Sequence, residues 1–289
     1  MSSVLVTGTS SGIGLATAIL LGRAGHRVYA TMRNPDRAPQ LREMVEKEKL
    51  PVSILTMDVD SDESVAETAS AVRSQDFVSV LVNNAGTERV GAIEELSLED
   101  FRATMETNYF GALRCIRAFL PDMRERRSGC IINVTSVAGR IACSPMAPYT
   151  ASKFALEALS EVLGQETRAF NIRVVIIQPG IIDTPMARRL EAPPGLSHYP
   201  QCRRVAGMFE ASLANPRPPS LVAEKIREII ESGTWQLRHP VGPDAEPFLG
   251  WRESMTDEDW IKWGALEDDA WYDRVQKDFG LDARPKKHT

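Results

Sequence analysis

Six short runs in this chain are nearly continuous in apolar and often β-branched residues: Val4–Thr7, Arg27–Thr31, Val52–Met57, Val78–Asn83, Cys130–Thr135 and Ile172–Gln178. No other feature constrains the fold as strongly. A strand with one solvated face alternates apolar and polar residues, whereas a strand covered on both faces does not. Helix candidates lie between the runs at Ile13–Ala24, Asp62–Ser74, Leu98–Arg124 and Ser152–Ala169. In the last of these, Phe154, Ala155, Ala158, Leu159, Val162 and Leu163 fall on one face. The alternation predicts an α/β protein, a doubly wound parallel sheet with helices on both faces. Right-handed crossovers then place ligands at the carboxyl ends of the strands.

With 289 residues, no internal repeat and no linker that demands a second unit, the chain reads as one domain over 1–289. Past Gln178 the pattern changes. Residues 186–219 hold Pro193, Pro194, Pro200, Pro216, Pro218 and Pro219, and read as short helical pieces at most. A segment of this kind is a substrate lid or a packing insert; its Met186, Leu190, Leu196, Tyr199, Met208 and Phe209 make it apolar. A helix over Leu221–Ser232 follows, then an extension over 235–289 rich in tryptophan, with helices at Asp257–Trp263 and Ala265–Phe279. Packing or an oligomer contact suits that extension as well as catalysis does.

A net charge of −5 argues against a polyanion-binding surface, so no nucleic-acid partner is expected. The four cysteines show no C-x-x-C spacing and the four histidines are scattered, so no metal site is expected. Free thiols fit a reducing compartment and a cytoplasmic location. The first strand begins at Val4, which leaves no room for a leader ahead of it, and no apolar stretch reaches the ~20 residues of a membrane span.

The first run leads into "TGTSSGIG" at residues 7–14, placing Gly8, Gly12 and Gly14 between a strand and a helix. Glycine is favoured where φ turns positive or where something must approach the main chain closely. Three of them at a helix start expose backbone N–H groups to which a pyrophosphate can bind at the positive end of the helix dipole. A tight β-α connection would account for the turn equally well. Further along, "NNAG" at 83–86, "NVTS" at 133–136, "YTASK" at 149–153 and "PGIIDT" at 179–184 each end a strand or open a helix. Tyr149 and Lys153, four residues apart, share one helical face. Alone, such a pair also fits an ordinary helix surface. A nearby ammonium lowers a tyrosine's pKa from its usual ~10 toward working pH.

In this order and on these elements, the five motifs resemble the short-chain dehydrogenase/reductase family over residues 3–184. "VYATMRNP" at 28–35, "FLPDMRERRSG" at 119–129 and "YTASKFALEALSE" at 149–161 are similar to the branch containing 17β-hydroxysteroid and retinol dehydrogenases. The resemblance implies a Rossmann-type sheet. It also implies four catalytic residues: Tyr149 as general acid and base, Ser136 on the substrate oxygen, Lys153 on the tyrosine and the nicotinamide ribose, and Asn108 holding a water behind the lysine. For the cofactor it implies Gly8, Ser10, Ser11, Gly12, Ile13 and Gly14 in the first turn, and Asp58 and Val59 at the adenine. Asn84, Ala85 and Gly86 would lie beside the adenosine ribose. Pro179, Gly180, Ile182 and Thr184 would stand near the carboxamide and phosphates.

NAD-preferring relatives place an acid at the end of the second strand, where this chain reads "ATMRN". Arg33 suits a 2′-phosphate, so NADP(H) is the preferred cofactor; as a solvated loop charge, Arg33 would leave NAD(H) possible. The expected activity is interconversion of a secondary alcohol and a ketone on an apolar small molecule, by a homodimer or homotetramer. Two alternatives stand beside it. One is a dinucleotide-binding regulator without turnover; the other is a reductase of carrier-linked 3-oxoacyl substrates, docked through Arg188, Arg189, Arg203 and Arg204.

Overall fold

The computed structural model describes residues 1–190 and 197–285; Pro193, Pro194 and Leu196 of the expected lid and His288 fall outside them. The described residues form seven parallel strands: β1 (Ser3–Thr7), β2 (Arg27–Met32), β3 (Val52–Thr56), β4 (Val80–Asn83), β5 (Gly129–Val134), β6 (Ile172–Pro179) and β7 (Arg238–Val241). Their helices are α1 (Gly12–Arg23), α2 (Pro39–Glu48), α3 (Asp62–Arg73), α4 (Leu98–Met105), α5 (Gly111–Arg126), α6 (Ala147–Thr167), α7 (Pro185–Arg189), α8 (Gln201–Leu213), α9 (Ser220–Ser232), α10 (Ala245–Glu253), α11 (Asp257–Gly264) and α12 (Asp268–Phe279).

The sheet order is β3-β2-β1-β4-β5-β6-β7. Successive strand side chains point to opposite faces, and the apolar runs feed two cores accordingly. Val4 and Val6 pack with α1 and α9 through Leu15, Leu21, Val222 and Ile226. Leu5 faces the other way, toward Val65, Val72, Ile116, Phe119 and Leu163 of α3, α5 and α6. All three β1 residues are fully buried, which is why the run shows no polar alternation. The chain winds outward from β1 to β3, then returns to β4 on the other side of β1. The crevice at that reversal opens beyond the carboxyl ends of β1 and β4.

Several local expectations are corrected. The span Leu98–Arg124 is not one helix: a π-helical stretch, Glu106–Phe110, separates α4 from α5 and carries Asn108. The catalytic-motif helix begins at Ala147 rather than Ser152, with Pro148 in its first turn where a missing N–H leaves no gap. Residues 186–219 hold more than short pieces, since α8 runs for 13 residues. Its prolines flank it, with Pro200 as N-cap residue and Pro216 beyond its end. The helices α2 and α10 and the edge strand β7 were not anticipated. Among the described residues, no helix is long and apolar enough to cross a membrane.

Candidate active site

At the β1–α1 turn, Gly8 and Gly12 adopt φ values of +70° and +56°. A Cβ on Gly8 would stand 2.7 Å from the Cα of Ala85, so this turn and the loop after β4 touch backbone to backbone. Thr7 holds them together, its Oγ1 accepting from the N–H groups of Asn84 (3.0 Å) and Ala85 (2.9 Å). The Asn84 side chain answers by donating to the carbonyls of Thr7 (2.9 Å) and Gly8 (3.1 Å). Gly14 lies behind the turn, where any Cβ would run into the Gly8 carbonyl and the Asn84 amide. Ser11 is the N-cap residue of α1, yet its hydroxyl makes no capping bond and is exposed. An exposed hydroxyl and helix-start N–H groups beside a close-approach glycine turn suit an anionic phosphate.

A cleft of about 950 Å³ runs from this turn across the ends of β4, β5 and β6. It is lined at one end by Gly8, Ser10, Ser11, Gly12, Ile13, Asp58, Val59, Asn84, Ala85 and Gly86, and at its centre by Ser136, Tyr149, Lys153, Pro179, Gly180, Ile182 and Thr184. Of the residues named from sequence, Gly14 and Asn108 stand behind the wall rather than in it. Arg33 lines the cleft after β2, and so does Arg37, which the sequence reading did not name. Between them, Asn34 Oδ1 accepts from the Asp36 N–H (2.9 Å) and opens a 3-10 turn, Pro35–Arg37. A second arginine four positions after the first was the available signal. Asp60 also lines this end; burial pushes its carboxyl up, while the hydroxyl of Thr107 (2.9 Å) and the charge of Arg33 oppose that.

At the centre, Ser136 Oγ caps the turn after β5 by accepting from Ala138 N–H (3.1 Å), donates to the Pro179 carbonyl (3.5 Å), and lines the cleft beside the Tyr149 hydroxyl. Lys153 is 4% exposed, and its ammonium donates to the Val134 carbonyl (2.9 Å). Burial pushes that ammonium down to about 8, against the attraction of Glu157 one turn later. The phenol of Tyr149 departs from the sequence expectation. Burial pushes it up to about 12, the Ser136 hydroxyl works against this, and the carboxylate of Glu88 adds to it. Lys153 Nζ lies 5.6 Å from the tyrosine ring centre. Glu157 is itself buried, accepting from Thr135 (2.8 Å), Gln178 (3.0 Å) and Arg238 of β7 (2.8 Å). This network anchors the lysine-bearing helix to β5, β6 and β7.

The side chain of Asn108 holds protein groups. Its Oδ1 accepts from Thr87 N–H (2.8 Å), and its Nδ2 donates to the Thr87 carbonyl (2.9 Å) and Ser152 Oγ (2.9 Å). Thr184 Oγ1 caps α7 by accepting from Ala187 N–H (3.1 Å). Opposite the glycine turn, the cleft is walled by Met146, Val205, Met208, Phe209, Phe248 and Trp251. Trp260 Nε1 donates to the Ala142 carbonyl (3.1 Å), joining the C-terminal helices to the loop after β5. The four arginines considered for carrier docking are engaged: Arg188 with Asp183, Arg189 with Glu88, and Arg203 and Arg204 with Asp268.

The sequence profile of short chain dehydrogenases matches residues 2–194. An uncharacterized oxidoreductase of Bacillus subtilis (strain 168), YusZ, is 32% identical over 271 residues, 91% of this chain and 95% of that protein. Human retinol dehydrogenase 8 is 39% identical over 203 residues, covering 68% of this chain and 64% of its own length. A solved short-chain dehydrogenase from Streptomyces avermitilis superposes with a TM-score of 0.78 at 32% identity, covering 91% of this chain and 97% of that one. The profile covers well over half of the chain and two of these relatives span nearly all of it, so the chain belongs to the short-chain dehydrogenase family and is an NAD(P)-dependent oxidoreductase.

Proposed function

We propose that this enzyme uses NADP(H) to interconvert a secondary alcohol and a ketone on an apolar substrate. The observation that carries the reading is the meeting of Ser136, Tyr149 and Lys153 in one cleft with the glycine turn of β1. A dinucleotide held at Gly8, Ser11 and Gly12 would supply hydride chemistry at the substrate carbon. In reduction, the Ser136 hydroxyl bonds the carbonyl oxygen and Tyr149 delivers a proton to it; in oxidation both act in reverse. A phenol held up at about 12 keeps its proton until the substrate oxygen can take it. The Lys153 ammonium, charged below about 8, stabilises the phenolate that results. Asn108 is a positioning residue, fixing the loop after β4 through Thr87 rather than meeting substrate.

Arg33 and Arg37, with no carboxylate at the end of β2, favour the 2′-phosphorylated dinucleotide. Asp58 and Val59 serve the adenine, and Ser10, Ser11 and Ile13 the phosphates. The apolar wall from α8 and α10 suits a hydrophobic carbonyl compound, of the steroid or retinoid kind suggested by the resemblance to retinol dehydrogenase 8. The chain is read as one domain, with 186–190 and 197–219 over the substrate, working in the cytoplasm as a homodimer or homotetramer. Phe110, Phe154 and Val162, exposed around α5 and α6, supply an apolar surface for that assembly. Carrier docking finds no support in the four paired arginines.

The test is dinucleotide oxidation with a panel of apolar ketones. Turnover with NADPH exceeding that with NADH, and its loss in Tyr149→Phe, are the expected results. Full activity of Tyr149→Phe, or tighter use of NADH, would overturn the reading.

A further inference from the structure

The loop after β4 carries a carboxylate that the chemistry above leaves unused. Glu88 is 8% exposed and lines the cleft together with Tyr149. Its place is fixed from both sides. Thr87 before it is clipped by Asn108, and the Gly91 N–H after it donates to the Pro145 carbonyl (3.0 Å), just ahead of Tyr149. Val90 of the same loop packs in one apolar cluster with Tyr149, Cys143 and Leu190. Arg189, at the end of α7, grips the carboxylate with both arms of its fork: Nε to Oε1 at 3.0 Å and a terminal nitrogen to Oε2 at 3.3 Å. Its side chain is 62% exposed and also lines the cleft. A carboxylate near a phenol disfavours the phenolate, and a guanidinium paired to that carboxylate offsets its field.

We propose that Glu88 and Arg189 tune proton transfer at Tyr149 from the substrate side, the carboxylate favouring the phenol and the guanidinium the phenolate. The inference rests on the role proposed above for Tyr149. Other groups beside the tyrosine are Lys153 on its own helix and the Ser136 hydroxyl and Cys143 thiol between β5 and α6; Arg204 of α8 lines the same cleft but is bound to Asp268. None of these changes when either partner of the pair is replaced. Losing Glu88 removes a repulsion from the phenolate, whereas losing Arg189 leaves that repulsion uncompensated. The two substitutions therefore act in opposite senses. A pair that only fastens α7 to the β4 loop would respond alike to the loss of either partner.

The test is the pH profile of alcohol oxidation by the wild type, Glu88→Gln and Arg189→Gln. Alongside it, the absorbance of ionised tyrosine is titrated with and without Glu88→Gln, each against the same protein carrying Tyr149→Phe. The rising limb is expected to move down by about half a pH unit or more in Glu88→Gln and up in Arg189→Gln, and the absorbance midpoint to fall in Glu88→Gln. Shifts of the same sign, or none with turnover intact, overturn the proposal. The absorbance titration needs no substrate. If the wild type oxidises no alcohol, the functional reading fails separately and the Glu88→Gln midpoint alone decides: a fall upholds this inference, and an unchanged midpoint overturns it.

Discussion

Lys153 keeps a cationic group where burial disfavours charge, and its two consequences point in opposite directions. Its folded value of about 8 lies below the ordinary 10.5, so between these values the unfolded chain binds a proton that the native state does not. Native stability therefore rises with pH through that window, and the full penalty, about 3 kcal/mol at 1.4 per unit, applies below it. Lys153→Met, which loses one hydrogen bond but removes that penalty, is expected to gain about 1–3 kcal/mol in urea unfolding near neutral pH while losing turnover. Unchanged stability together with unchanged turnover would contradict both roles. In the wild type, carbonyl reduction, which needs both the phenol and the ammonium protonated, is expected to decline as pH climbs through about 8. Arg33→Ala is expected to weaken NADPH about tenfold or more and leave NADH nearly unaffected, read as the two KM values.

At the scale of elements, Gly8→Ala places a side chain against Ala85 at a φ of +70°. Loss of dinucleotide binding by titration calorimetry, with reduced thermal stability, is the expected outcome. Asn108→Ala leaves both backbone groups of the half-buried Thr87 without their side-chain partners, and is expected to destabilise by about 1–3 kcal/mol in urea unfolding. Strands β1, β2, β4, β5 and β6 were legible because burial on both faces writes itself as an unbroken apolar run, and β3, whose Ser53 and Thr56 are exposed, was legible through Val52, Ile54 and Leu55. The edge strand β7, "RHPV", was not, because only Val241 in it is buried. The helix α2 hid for a related reason: Leu41 is its one buried residue amid charged neighbours. In α8, flanking prolines read as a loop although they stand only at the helix ends. Ser136, Tyr149 and Lys153 were legible as motifs. The placement of Glu88 and Arg189 together was not, since 101 positions separate them and only the packing of α7 over the β4 loop joins them.

Across the whole molecule, the two ends of the cleft, proposed above for dinucleotide and substrate, are built from different parts of the chain. The turn after β1 and the loops after β2 and β4 form one end. The other is walled by α8 and the C-terminal helices, where Trp251 meets Trp260, Trp263 and Phe279 edge-on at 4.8–5.4 Å between ring centres. Trp251→Ala is expected to lower kcat/KM for bulky apolar ketones about tenfold while changing NADPH affinity less than about twofold. An equal loss in both would mean that the tail supports the entire cleft. The central claim is that one cleft brings a dinucleotide hydride and the Tyr149 proton to a carbonyl carbon and oxygen. Its most direct test is NADPH deuterated at the transferring C4 position, incubated with an apolar ketone and the wild-type enzyme, with the product analysed by mass spectrometry. Deuterium on the former carbonyl carbon, at one atom per product molecule and absent with Tyr149→Phe, is the expected result. Alcohol formed without deuterium on that carbon, or formed equally by Tyr149→Phe, would contradict the account.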